Sequence, residues 1–215
     1  MPSVFPPQLV FQQKNPILVC MEQQNISPNE SFNSLRDQLL IAMPTLTGSE
    51  FEHSVIYICE HTPDGAMGLV INTPLDISLQ EVFAQFDLPS AKPIADKKVF
   101  SGGPVSVNHG FVLHQNCEQN WENTLKISDR ISLTTSRDIV VDLAQGKGPE
   151  NALLILGYSG WGAGQLESEI LENAWLTVPS DPELLFETAS DQCAIVAGRK
   201  AGIDLSKMSS AAGHA

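Results

Sequence analysis

The sequence predicts a single α+β domain. Three observations carry this reading: β-branched apolar runs recur from Leu35 onward, a few helical patterns lie between them, and no repeat or long linker interrupts Leu35–Ile203. With 215 residues the chain is long enough for one ample core. Its 42% hydrophobic and 17% charged residues are those of an ordinary globular protein.

Residues 1–33 stand apart. They are rich in Pro, Gln and Asn and show no sustained period, so they read as a poorly ordered N-terminal extension. Met21 offers an alternative start within it. Residues 34–215 then form the domain. "QLLIAMP" is its first strand. "SVIYICEH" (Ser54–His61) and "AMGLVIN" (Ala66–Asn72) flank "TPDG". There Pro63 presets φ, Asp64 can hydrogen-bond locally and Gly65 can take a positive φ, so the pair predicts a β-hairpin. "SLQEVFAQF" opens with Ser78 and has Glu81 three residues on, a capping box ahead of an apolar face of Leu79, Val82, Phe83 and Phe86. "KVFSGGPV", "HGFVLHQ", "TLKIS" and "ISLTT" read as strands. "SRDIVVDLAQG" reads as a helix with Ser136 or Thr135 at its N-cap and Gly146 past its end. "NALLILGYSG" predicts a buried strand running into a glycine loop. "QLESEILENA" follows as a helix, "WLTVP" as a strand, and "PELLFE" and the stretch around "CAIVAGRKAGI" as short helices.

Composition narrows the function. Twelve Lys+Arg against twenty-five Asp+Glu give a net charge of -13, which repels phosphate backbones and disfavours direct nucleic-acid binding. Cys20, Cys59, Cys117 and Cys193 are scattered without a CxxC, as expected of reduced thiols in a cytoplasmic chain. No apolar run reaches the ~18 residues of a membrane-spanning helix, so no membrane partner is expected.

"GYSGWGAGQLESEI" (Gly157–Ile170) holds four glycines. As a hydrolase elbow, G-x-S-x-G, it fails at Trp161, and the only histidine after Ser159 is His214. As a dinucleotide fingerprint it lacks the third glycine, and Glu167 and Glu169 would repel a phosphate at the helix start. The glycines therefore serve geometry first and a shallow ligand pocket second. "VFSGGPV" reads as a tight strand exit. Alternation places Cys59 and His61 on one strand face, but no further ligands have zinc-like spacing, so neither a metal nor a cofactor is expected.

Together "LLIAMPTL", "SVIYICEHTPDGAMGLVIN", "VFSGGPV", "GFVLH", "GYSGWGAGQLESEI", "WLTVP" and "ELLF" resemble the AlgH/YqgE family of bacterial proteins, from about Leu39 to the C-terminus. The resemblance implies a strongly bent mixed or antiparallel sheet forming a pseudo-barrel flanked by helices. It brings no established reaction, and no catalytic residues to carry over. One branch of the family is named as a regulator of alginate production. His53 stands where members often carry arginine. The polar motif positions His61, Asn72, Ser159, Gln165 and Glu169, with Trp161, are the candidate ligand-binding residues. The reading that follows is a cytoplasmic, non-enzymatic regulatory or adaptor protein that binds a protein or a small ligand. The alternatives are a hydrolase-type enzyme using a His/Glu/Ser cleft and a direct DNA-binding regulator, the latter opposed by the net charge.

Overall fold

The computed structural model of the chain describes residues 9–11, 32–89, 97–203 and 205; Cys20, Met21 and His214 lie outside them. The strands are β1 (Gln38–Ala42), β2 (Val55–Thr62), β3 (Gly65–Val70), β4 (Pro74–Ser78), β5 (Lys98–Ser101), β6 (Val105–Gln115), β7 (Thr124–Lys126), β8 (Ile131–Thr134), β9 (Ala152–Gly162) and β10 (Trp175–Pro179). The helices are α1 (Leu79–Gln85), α2 (Arg137–Ala144), α3 (Gln165–Leu171), α4 (Pro182–Phe186) and α5 (Cys193–Lys200). The strands form one ten-stranded sheet in the order β10-β1-β2-β3-β9-β6-β8-β7, with β4 and β5 joined to it through β9. Its pairs are antiparallel except β5 with β9. The sheet curls into a half-barrel.

Burial follows from that curl. Leu39, Ile41, Tyr57, Leu69, Phe111, Leu133 and Ile155 share one core cluster with Leu184 and Leu185 of α4 and Cys193 and Ala197 of α5. Elsewhere α1 and α2 cover Val99, Val112, Leu154 and Leu156, while α3 covers Ile58, Ala66 and Trp161. Arg36 ties β2 to β7, the strand at the far end of the sheet. Its guanidinium pairs with Glu60 on β2 at 3.2 Å and donates to the carbonyls of Lys126 (2.6 Å) and Ile127 (3.1 Å) at the end of β7.

The hairpin and the capping box stand as the sequence predicts. Ser78 Oγ accepts from the Glu81 amide, and the Glu81 carboxylate accepts from the Ser78 amide at 2.8 Å. Two expectations change. The glycine stretch is not a loop: β9 runs through it to Gly162, because residues 159–162 pair with β3 after the first half of the strand has paired with β6. The alternation of β2 also breaks. A register shift between Ile58 and Glu60 leaves Cys59 in the core with Tyr57 and turns His61 across from Ala66 on the α3 side. The thiol and the imidazole therefore lie on opposite faces, which ends their reading as two ligands on one face. Cys193 is buried too, and burial, followed by the Asp191 charge, pushes its thiol up to about 11.

His114, like His61, is a buried histidine, and it packs edge to face against Trp121. One ring nitrogen lies 2.9 Å from Thr134 Oγ1 and the other 3.0 Å from the Gln115 carbonyl. Burial lowers its pKa below the ordinary 6.5, and the Gln115 carbonyl only partly opposes this. The folded chain therefore keeps His114 neutral where the unfolded chain protonates. The unfolded state binds more protons, so stability is lost as pH falls from 6.5 toward the folded-state pKa. Denaturant unfolding at about pH 7.5 and about pH 5.5 should show a steeper loss for wild type than for His114→Gln, which removes this titration. Equal slopes would assign the acid loss to other groups.

Candidate functional site

The two glycine motifs meet in one junction. Gly102 donates its amide to the Leu156 carbonyl at 2.8 Å, and its own carbonyl accepts from the Val70 amide (3.0 Å) and from Ser159 Oγ (3.1 Å). A Cβ on Gly102 would sit 2.3 Å from the Gly157 carbonyl oxygen, so β9 and the turn after β5 touch backbone to backbone. Gly157 takes φ +74, which lets β9 bend as it changes partner from β6 to β3. Ser159 is 1% exposed. Its hydroxyl is a strut across this junction.

Trp161, Gln165 and Glu169 form a second, separate cluster under α3. One oxygen of Glu169, Oε2, accepts from the indoles of Trp161 (2.9 Å) and Trp175 (2.7 Å). The other, Oε1, accepts from Gln165 Nε2 at 2.9 Å, one helical turn earlier. Gln165 Oε1 in turn accepts from the Gly162 amide at 3.0 Å, holding the start of α3 against the end of β9. The two indoles meet edge to face at 6.0 Å. The cluster fastens α3, β9 and β10 together.

His61 stands beside it on β2. Its Nδ1 accepts from the Leu35 amide at 2.9 Å, so the proton sits on Nε2 and is donated to Glu167 Oε1 at 2.9 Å. Both ring nitrogens are thus in use. Among the described residues no hydrogen bond joins Ser159 to His61 or to a carboxylate, so these three residue types do not form a nucleophile–base–carboxylate relay. Nor do the described residues hold a group of three or more His, Cys, Asp or Glu side chains able to hold a metal ion.

Asn72 lies elsewhere. It follows β3, and its side chain spans the turn into β2, with Oδ1 accepting from the Val55 amide at 2.8 Å and Nδ2 donating to the His53 carbonyl at 2.9 Å. His53 takes φ +62 there. This clamp forms one wall of a cavity of about 660 Å³. The end of β1 (Ala42, Met43, Pro44) and Thr73 and Pro74 give further walls, and Ser190, Asp191, Ala194, Ile195 and Leu205 close it from the C-terminal segment. Its lining mixes apolar side chains with Glu52, Asp191, Thr47 and Thr73, and includes neither lysine nor arginine. A volume of this size suits a small molecule. Of the six candidate residues, Asn72 alone lines it.

The fold and these clusters define a half-barrel α+β protein whose motif residues are mostly cross-links between elements. Residues 39–206 match the AlgH-like family, and the chain belongs to it. A UPF0301 protein of Thioalkalivibrio sulfidiphilus is 48% identical over 183 residues, covering 85% of this chain and 98% of that one. A UPF0301 protein of Hahella chejuensis is 46% identical over 187 residues, covering 87% of this chain and 100% of that one. The solution structure of the AlgH protein from Pseudomonas aeruginosa superposes with a TM-score of 0.69 at 39% identity, over 89% of this chain and all of the other.

Sequence reasoning missed Glu167 as the partner of His61 and Trp175 as the second indole on Glu169. The four-residue step from Gln165 to Glu169 was a readable signal for their bond. The cavity gave none, because its walls come from three distant stretches of chain.

Proposed function

We propose that the protein is a non-enzymatic regulatory protein that acts by binding a small ligand in the cavity walled by Asn72. The observation that carries this is the contrast between two places. The glycine and tryptophan motifs spend their polar groups on internal hydrogen bonds, whereas the cavity is roomy and carries unspent capacity. The Asn72 amide keeps a second N–H and a second lone pair beyond its two backbone bonds. Glu52, whose Oε1 lies 3.6 Å from His53 Nε2, and Asp191, in a lining without lysine or arginine, favour an uncharged or cationic molecule with an apolar body. The free thiols of Cys59, Cys117 and Cys193 suit action in the cytoplasm. The net charge of -13 argues against the regulator working by contact with DNA.

The test is capture of small molecules from a cytoplasmic extract on immobilised protein, read by mass spectrometry. Thr73→Trp, at an exposed position of the lining, should lose the compound that wild type retains, while Glu169→Gln should keep it. A compound lost with Glu169→Gln and kept by Thr73→Trp, both folded by circular dichroism, would move the site to α3.

A further inference from the structure

β8 pairs with β6 only at Val112–Gln115, so the first half of β6 is a sheet edge on that side. Between Val105 and Gly110 the strand also arches away from β9, and its backbone is left to find other partners. A three-residue piece from the N-terminal extension sits there. Val10 donates its amide to the Asn108 carbonyl at 2.9 Å, and the Gly110 amide donates to the Val10 carbonyl at 3.2 Å, a parallel bridge centred on His109. Leu9, 5% exposed, is inserted among Leu79, Val82, Phe83 and Val112. Phe11 lies over Gly110, where a Cβ would come within 2.2 Å of its ring, and meets Phe86 edge to face at 5.7 Å. Val10 points the other way and is 38% exposed. These are the marks of strand addition: main-chain hydrogen bonds give hold, and alternate side chains give selection.

The occupant lies outside the part shared with one relative. The Hahella relative aligns along its whole length over 187 residues. A span of that length that takes in the family match, residues 39–206, begins at residue 20 or later, so Leu9–Phe11 have no counterpart there. The slot is built from domain residues, and its filling is an addition.

We propose that the β6 edge at Asn108–Gly110 is a docking slot for an extended peptide with large apolar side chains two residues apart, of the Leu-x-Phe kind. The segment Leu9–Phe11 is a tethered occupant that a partner's peptide must displace. The slot is separate from the cavity and does not depend on it. A tethered segment competes at an effective concentration on the order of 1 mM. For a peptide of ~100 μM affinity, this weakens apparent binding roughly tenfold.

The experiment uses the full-length chain and a fluorescent peptide of residues 6–15, PPQLVFQQKN. The double variant Leu9→Asp/Phe11→Asp empties the slot and should bind the peptide saturably, about tenfold more tightly than wild type. Adding Gly110→Val should abolish that binding, since its side chain takes the place of the phenyl ring. No binding to the folded double variant, or equal binding with and without Gly110→Val, overturns the proposal. Should the double variant not fold, hydrogen exchange decides on wild type. The Val10 amide should be protected there and exchange at least about tenfold faster in Gly110→Val, and an unprotected Val10 amide in wild type also overturns the proposal.

Discussion

Glu169→Leu is expected to destabilise the protein by about 2–5 kcal/mol, because it leaves two indole N–H groups without their acceptor and frees the Gln165 amide. Trp161 and Trp175 are 7% and 4% exposed, so water cannot readily take over. For a chain of this size the loss corresponds to a fall in melting temperature on the order of 10 °C. Glu169→Gln is the informative control. Its amide oxygen can still accept from both indoles, and only the contact with Gln165 Nε2 becomes donor against donor, so it should cost about 1 kcal/mol. Calorimetry of the pair separates a hydrogen-bond hub from a charge that serves a ligand. Equal and small losses for both would show that the carboxylate is not holding the tryptophans.

Gly102→Ala is the second large effect. Its Cβ would stand 2.3 Å from the Gly157 carbonyl oxygen and 2.6 Å from Ile155 Cγ2, and the first of these is backbone in the middle of β9. Relief requires β9 to move away from the turn after β5, breaking the Ser159 and Leu156 contacts. The expected cost is about 3 kcal/mol, the upper end for overpacking a well-filled interior. Ser159→Ala, by contrast, removes one hydroxyl bond and leaves the Gly102 carbonyl with its Val70 donor, so about 1 kcal/mol is expected. Urea unfolding of the two variants side by side gives the comparison. A mild Gly102→Ala would mean that the junction is slack.

Much of the fold was legible because it rests on local chemistry. Pro63, Asp64 and Gly65 specify the β2–β3 hairpin, and Ser78 with Glu81 specifies the start of α1; both signals lie within four residues. The glycine stretch misled for a physical reason. Glycine marks a turn when read along the chain, but Gly157 and Gly102 are glycines because β9 and the turn after β5 meet backbone to backbone, which only the third dimension shows. The bulge at Cys59 is similar: nothing in "VIYICEH" interrupts the alternation, and the shift appears only against β3. Five of the candidate residues have side chains suited to a ligand, and the structure places them in internal bonds. Asn72 is suited in the same way and stands at the cavity, whose other walls come from Ala42–Pro44 and from the segment around Asp191. No spacing rule connects those stretches.

The proposed function makes the α3 cluster scaffold and the cavity the binding place. Nitrogen-15 NMR during titration with the small-molecule fraction of a cytoplasmic extract tests it most directly, because the indole N–H and the Asn72 side-chain amide give separate signals. Saturable shifts are expected at the Asn72 amide and at residues 190–195, with the Trp161 and Trp175 indole signals unmoved. Shifts centred on the two indoles and Gln165, with the Asn72 amide unmoved, would contradict it.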